Sequence, residues 1–226
     1  MIQLVVECML WPSFLDIIVL TIVRRMLTDI RGILGYGSIG RQIARVAAAL
    51  GTEVYAFTAR ERPTSASRRD DGYSTHGLGD PEGTIPAKWF YGTTKEAVNE
   101  FLSQDLDILV ISMPLTKSSY RLIGPEQFAI LSKRRTFVSN IARGPIVDTD
   151  ALIEALEKGQ IKGAALDVTD PEPLPEGHPL WKAPNLLITP HVSWHSSTHW
   201  DRVFDVLAEN LENLASHKPL VNRLDR

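Results

Sequence analysis

One six-residue run, Gly35-Tyr36-Gly37-Ser38-Ile39-Gly40, constrains this chain more than any other feature. It follows an apolar strand pattern at Gly32-Ile33-Leu34. It opens a helical pattern with Ile43, Ala47 and Leu50 at helical spacing and Gly51 just past the end. Glycines at this spacing recur by chance, but between a strand and a helix they have a mechanism. The first makes the tight turn, the second lets the backbone approach a pyrophosphate, and the third lets the helix pack close to the strand. The helix N-terminus then faces the negative charge. Gly35, Gly37, Ser38, Ile39 and Gly40 are therefore candidate dinucleotide contacts. The competing reading is a strand–helix turn that happens to be rich in glycine.

Beyond this run, short apolar stretches alternate with helix-period segments. Strands are expected at Glu53–Phe57, Leu106–Ile111, Thr136–Ser139, Ala164–Val168 and Leu186–Thr189. Helices are expected at Lys95–Leu102, Thr149–Lys158 and Ser197–Ala215, with a helical turn at Pro125–Leu131, while residues 60–87 read as loop. Uninterrupted apolar strands alternating with helices predict an α/β fold, a doubly wound parallel sheet with helices on both faces. The 226 residues amount to roughly 1.5 domains at about 150 residues each. The chain divides into an apolar helical segment (1–30), a dinucleotide-binding domain (31–195) and a C-terminal helix and tail (196–226).

Composition removes several function classes. With 24 basic and 27 acidic residues the net charge is −3, which gives no whole-chain case for nucleic acid or an anionic membrane. The single cysteine, Cys8, excludes an intrachain disulfide and a cysteine zinc site, and fits a reducing, cytoplasmic setting. The apolar N-terminus is interrupted by Glu7, Pro12 and Asp16. Its uncharged run Ile17–Val23 is far short of the roughly 20 residues that span a bilayer, so it reads as a helix meant to pack against protein.

A dinucleotide site usually carries Asp or Glu at the end of the second strand, to bind the ribose 2′-hydroxyl. Here that position falls near Thr58, within Phe57-Thr58-Ala59-Arg60-Glu61-Arg62. An acid would repel a 2′-phosphate, whereas Arg60 and Arg62 can hold one with charge-assisted hydrogen bonds, so NADP(H) is expected over NAD(H). The competing reading makes Arg60, Arg62, Arg68 and Arg69 a solvated loop face with Asp70 and Asp71.

Polar groups also gather at three later strand ends. Arg143 follows the strand at 136–139, Asp167 ends the next with Glu172 in the loop beyond, and His191 follows the last. In an open parallel sheet all three ends lie on one edge, where ligands bind. A histidine serves as proton donor or acceptor near neutral pH. A carboxylate holds its tautomer, and an arginine fork matches a substrate carboxylate and polarises a neighbouring carbonyl. Beside a nicotinamide, this set suits reduction of a 2-oxo acid. Taken singly, each has a structural reading: a satisfied histidine, an exposed glutamate, an arginine in a turn.

The ordered runs GYGSIG, LDILVISMPLT, NIARGPIVD, ALDVTDPEP and ITPH, across roughly residues 30–226, resemble the D-isomer-specific 2-hydroxyacid dehydrogenase family. Within it, the basic strand end is similar to the NADP-preferring glyoxylate and hydroxypyruvate reductases. The resemblance implies a Rossmann-type coenzyme domain and an Arg–Glu–His catalytic set carried by Arg143, Glu172 and His191. It implies an acid at Asp167 that contacts the nicotinamide carboxamide, Pro114 beside the coenzyme, and a small 2-oxo or 2-hydroxy acid as substrate. Glu172 stands where the related formate dehydrogenases have glutamine, which disfavours that chemistry. The chain departs from the family pattern at Ser112, where histidine is common, and at Trp194-His195, where small residues follow the catalytic histidine. Only about 30 residues precede Gly32, where the family carries most of a substrate domain of ~100 residues. The expectation is therefore a chain without most of that domain. Its C-terminal stripe of Val203, Leu207 and Leu211 would then need another surface, and the family's usual homodimer surface surrounds the altered N-terminus. The rival is a dinucleotide-binding protein without turnover: a corepressor-like regulatory module, a partner-completed subunit or an incomplete gene product.

Overall fold

The computed structural model describes residues 29–70 and 72–222. The expected helical segment at 1–30 lies outside the described residues up to position 28, and Ile30 already opens the first strand. Seven parallel strands form one sheet. They are β1 (Ile30–Leu34), β2 (Glu53–Thr58), β3 (Lys88–Tyr91), β4 (Ile108–Ile111), β5 (Phe137–Asn140), β6 (Gly163–Leu166) and β7 (Leu186–Ile188). Between them lie α1 (Ser38–Ala49), the single turn α2 (Ser65–Arg68), α3 (Lys95–Leu102), α4 (Pro125–Leu131) and α5 (Thr149–Glu157), and α6 (His199–Ala215) follows β7.

The spatial order is β3-β2-β1-β4-β5-β6-β7. From β1, third in the row, the chain runs outward to β3, then returns to the other side of β1 and runs outward to β7. The reversal opens a crevice between the carboxyl ends of β1 and β4, where Leu34 pairs with Ile111.

Successive strand residues face opposite sides, and here both sides are apolar. Leu34, Phe57, Leu109, Ile111 and Val138 pack with Phe101 of α3, Phe128 of α4 and Leu152 of α5. Ile33, Val54 and Ala56 face the other way, onto Ala44 and Ala47 of α1. Helix starts follow ordinary capping chemistry: Thr94 accepts from the Ala97 amide and Asp148 from the Ala151 amide.

Three details differ from the sequence reading. Lys88–Tyr91, just past the expected loop, is a strand that pairs with β2 from Tyr55↔Lys88 to Thr58↔Tyr91. It is a short edge strand with half-buried aromatics and no alternation, so pattern alone is silent there. The strand expected at 164–168 ends at Leu166, which frees Asp167 to turn its carboxylate toward the next loop. Helix α6 begins at His199, two residues later than expected, and buries none of its residues; Val203, Leu207 and Leu211 are 41%, 50% and 57% exposed. No helix among the described residues is long and apolar enough to cross a membrane.

Candidate active site

The three glycines of the opening run do three different things. Gly35 has φ +108°, and a Cβ there would sit 2.7 Å from the Met113 amide nitrogen of the β4 exit. Gly40 is pressed against the Gly35 carbonyl, 2.3 Å from where its Cβ would be, which sets the close approach of α1 to β1. A Cβ on Gly37 would meet nothing within 4 Å. That open space lies at the start of α1, which has no side-chain cap and no acidic residue in its first turn, leaving amide donors and the helix dipole for an anion. Ser112 donates to the Gly35 carbonyl at 2.8 Å and so pins the turn to β4. A histidine is common in the family at this position; here a hydroxyl makes the tie.

Beside this turn lies a cavity of about 460 Å³ with a largely apolar wall that includes Phe57, Val98 and Leu122. Of the candidate cofactor residues, Gly35, Gly37, Thr58, Arg62 and Pro114 line it; Ser38, Ile39, Gly40 and Arg60 do not. Ile39 is 60% exposed and Arg60 points to solvent. The Thr58 hydroxyl donates to the Arg60 carbonyl at 2.7 Å and closes the turn at the strand end. Arg62 Nη1 donates to the Ser67 carbonyl at 2.5 Å, while its Nε is buried without a partner. The phosphate turn, the open space at Gly37, the apolar wall and the basic side chain of Arg62 fit a dinucleotide.

At the other end of the carboxyl edge, His191 and Glu172 form a pair, Nδ1 to Oε1 at 2.7 Å. A carboxylate only accepts, so Nδ1 carries the proton, and Nε2 is left as the atom that gives or takes one. Both line a second cavity of about 420 Å³, with Asp167, Leu174, Trp181 and Thr189. His191 sits at φ +55°, a left-handed conformation uncommon in a residue with a side chain. Asp167 holds the loop around it. Its Oδ1 accepts from the Thr189 hydroxyl (2.5 Å) and the Val192 amide (3.0 Å), and its Oδ2 accepts from the Ser193 amide (2.9 Å). Burial pushes the Asp167 carboxyl up. Hydrogen bonds from Ser193, Thr189 and the two amides overcome it and hold the group at about 2. Trp194 adds a strut, its indole N–H donating to the His191 carbonyl at 2.8 Å.

Arg143 stands apart from this pair. Asn140 shapes its loop by accepting from the Ala142 amide (3.1 Å) and donating to the Arg143 carbonyl (3.0 Å). Gly144 packs so tightly that a Cβ would lie 1.9 Å from the Thr169 carbonyl. The guanidinium, exposed, donates to the neighbouring Ala142 carbonyl at 2.6 Å; it makes no ion pair among the described residues and does not line the His191 cavity. Sequence reasoning named Arg143, Glu172, His191 and Asp167. It gave no role to Thr189 or Asn140 and named Ser112 only as a departure, although the run Asn140-Ile141-Ala142-Arg143 at a strand end is a signal for an Asn-closed turn.

The model of the D-isomer specific 2-hydroxyacid dehydrogenase NAD-binding domain matches residues 72–193, more than half of the chain. Among curated relatives, the glycerate dehydrogenase of Methylorubrum extorquens is 37% identical over 190 residues, covering 83% of this chain and 50% of that protein. The glyoxylate/hydroxypyruvate reductase B of Yersinia enterocolitica is 34% identical over 183 residues, covering 81% and 48%. The chain thus spans about half the length of these relatives. Among solved structures, a D-isomer specific 2-hydroxyacid dehydrogenase from Xanthobacter autotrophicus in complex with NADPH and MES superposes with a TM-score of 0.68 at 31% identity, covering 87% of this chain and 71% of that one. The D-lactate dehydrogenase of Lactobacillus jensenii with NAD+ superposes at 0.64 and 27% identity, covering 88% and 56%.

Proposed function

The chain belongs to the D-isomer specific 2-hydroxyacid dehydrogenase family, and from that premise we propose that it is the coenzyme-binding part of an NADP(H)-linked reductase of a small 2-oxo acid of the glyoxylate or hydroxypyruvate kind. The observation that carries the reading is the His191–Glu172 pair, built on the same sheet edge as the dinucleotide cleft. The coenzyme would lie against Gly35, Gly37, Thr58, Arg62 and Pro114, with Arg60 at the solvent side of the same strand end, and supplies the hydride when bound. Glu172 holds His191 with Nδ1 protonated, so that Nε2 delivers the proton to the developing alkoxide. Arg143 offers a bidentate fork to the substrate carboxylate once released from Ala142. Asp167 fixes the His191 loop, and its carboxylate would accept from the nicotinamide carboxamide of a bound coenzyme.

Consumption of NADPH with glyoxylate or hydroxypyruvate, followed by loss of absorbance, tests this directly. Turnover that disappears in His191→Ala while coenzyme binding survives supports the assignment; coenzyme binding without turnover at any substrate concentration overturns it for this chain. One observation favours a second reading, a dinucleotide-binding protein without turnover: the Arg143 guanidinium rests on its own neighbour, off the His191 cavity.

A further inference from the structure

The connection from β2 to β3, residues 59–87, holds one four-residue helix, yet it is tied down by buried charge. Irregular connections this long in compact domains are uncommon and usually functional. The tie is Arg41 of α1, just past the third glycine and 2% exposed. Its Nη1 donates to the Asp80 carbonyl at 2.5 Å and its Nη2 to the Arg68 carbonyl at 2.7 Å, while its Nε lies 3.5 Å from Asp70 Oδ2. The guanidinium covers the ring of Tyr36, the second residue of the glycine run, at 5.1 Å. Tyr36 donates its hydroxyl to Asp80 at 2.8 Å, and the Asp80 carboxylate also accepts from the Thr84 and Ile85 amides. Burial, reinforced by Asp80, pushes the Tyr36 hydroxyl well up, so it stays a neutral donor.

From this clasp two bonds lead to the cleft wall. The Arg68 carbonyl is held by Arg41, and Arg68 Nε donates to the Arg62 carbonyl at 3.0 Å. Arg62 is the cleft residue whose Nε is buried and unpartnered. A buried guanidinium contributes little net stability compared with an apolar side chain of similar volume. What an apolar side chain cannot do is hold two loop carbonyls at a set distance from the phosphate turn.

We propose that Arg41 is a positioning residue for coenzyme discrimination: it docks the β2–β3 connection onto the glycine-run helix, so that the Arg62 side chain is held at the cleft wall for the 2′-phosphate of NADPH. This rests on the NADP(H) reading above. The test is the dissociation constant of NADPH and of NADH, measured on the full chain by protein fluorescence, for wild type, Arg62→Ala, Arg41→Lys and Arg68→Met. Lysine keeps the charge and stem of Arg41 but cannot bridge both carbonyls with a fork. Arg68→Met breaks the second bond at a half-buried position while keeping an unbranched side chain over the Trp89 ring.

Wild type is expected to prefer NADPH. Arg41→Lys and Arg68→Met are each expected to weaken NADPH by about tenfold, roughly the effect of one charge-assisted hydrogen bond, with NADH within about twofold. Equal affinity of wild type for the two coenzymes overturns the NADP(H) reading and the proposal with it. A preference that Arg62→Ala removes and both other variants keep overturns the positioning role alone. Parallel loss of both coenzymes in Arg41→Lys and in Arg68→Met reduces the clasp to ordinary structure and overturns it as well.

Discussion

At the β1–β4 end of the sheet's carboxyl edge, the turn is held by close packing: Gly35 against the β4 backbone, Gly40 against Gly35, Ser112 bonded back to the Gly35 carbonyl. At the β5–β7 end, the His191–Glu172 pair stands partly in the open, with 41% and 37% of the two side chains exposed, and its geometry hangs on one buried carboxylate. The first end is fixed by shape and the second by hydrogen bonds. A shape constraint fails when a methyl group is added; a hydrogen-bonded constraint fails when an acceptor is protonated or removed.

The largest effect is expected from adding that methyl group. Gly35→Ala forces a Cβ into main chain at a φ that side chains rarely adopt, and should cost about 3 kcal/mol or more by denaturant unfolding, together with coenzyme binding. Gly144→Ala, with its Cβ 1.9 Å from the Thr169 carbonyl, should cost as much, because the Arg143 turn at the other end is also built by shape. Should Gly144→Ala unfold at the wild-type denaturant midpoint, the contrast between the two ends would need redrawing.

Asp167→Asn comes next and probes the hydrogen-bonded end. The folded carboxyl sits at about 2 against an ordinary 3.8, so the folded state binds fewer protons than the unfolded state between these values. The stabilisation, roughly 2 kcal/mol, is therefore fully present above about pH 4 and is lost as pH falls toward 2. Thermal midpoints measured from pH 2 to pH 6 should show this slope in wild type and a flatter one in Asp167→Asn. Equal slopes would remove Asp167 as the anchor of the His191 loop.

Gly37→Ala separates the coenzyme from the fold. No atom lies within 4 Å of the added Cβ, so stability should hold within about 0.5 kcal/mol. Titration with NADPH should nevertheless show affinity reduced by at least about tenfold, because the methyl group occupies the approach to the phosphates. The smallest effect is expected on α6. Leu211, 57% exposed, should accept Gln with a change within about 0.5 kcal/mol; a larger loss of stability would show that the apolar stripe is covered in solution.

The sheet was legible because its strands are apolar on both faces, and alternation of Ile33 and Leu34 or Val54 and Tyr55 between two cores requires that. The pairing of Glu172 with His191 was legible from strand ends, since parallel strands bring their carboxyl ends to one edge. Strand β3 was not, because a four-residue edge strand with half-buried aromatics has neither an apolar run nor a period. Nor was the placement of Arg143, whose long side chain has several partners within reach and here takes the nearest carbonyl.

Local chemistry by itself determined the phosphate turn, the parallel α/β architecture and the family, because glycine spacing and apolar periodicity act over a few residues and survive any packing. Only the tertiary structure decided which side chains face the cleft. It turned Arg62 and not Arg60 inward, put Asp167 under the His191 loop, and used Arg41 to join a helix to carbonyls 27 and 39 residues away. The physical reason is that a buried polar group takes whichever partner the fold brings within about 3 Å, and contacts made across such distances in sequence leave no period to read.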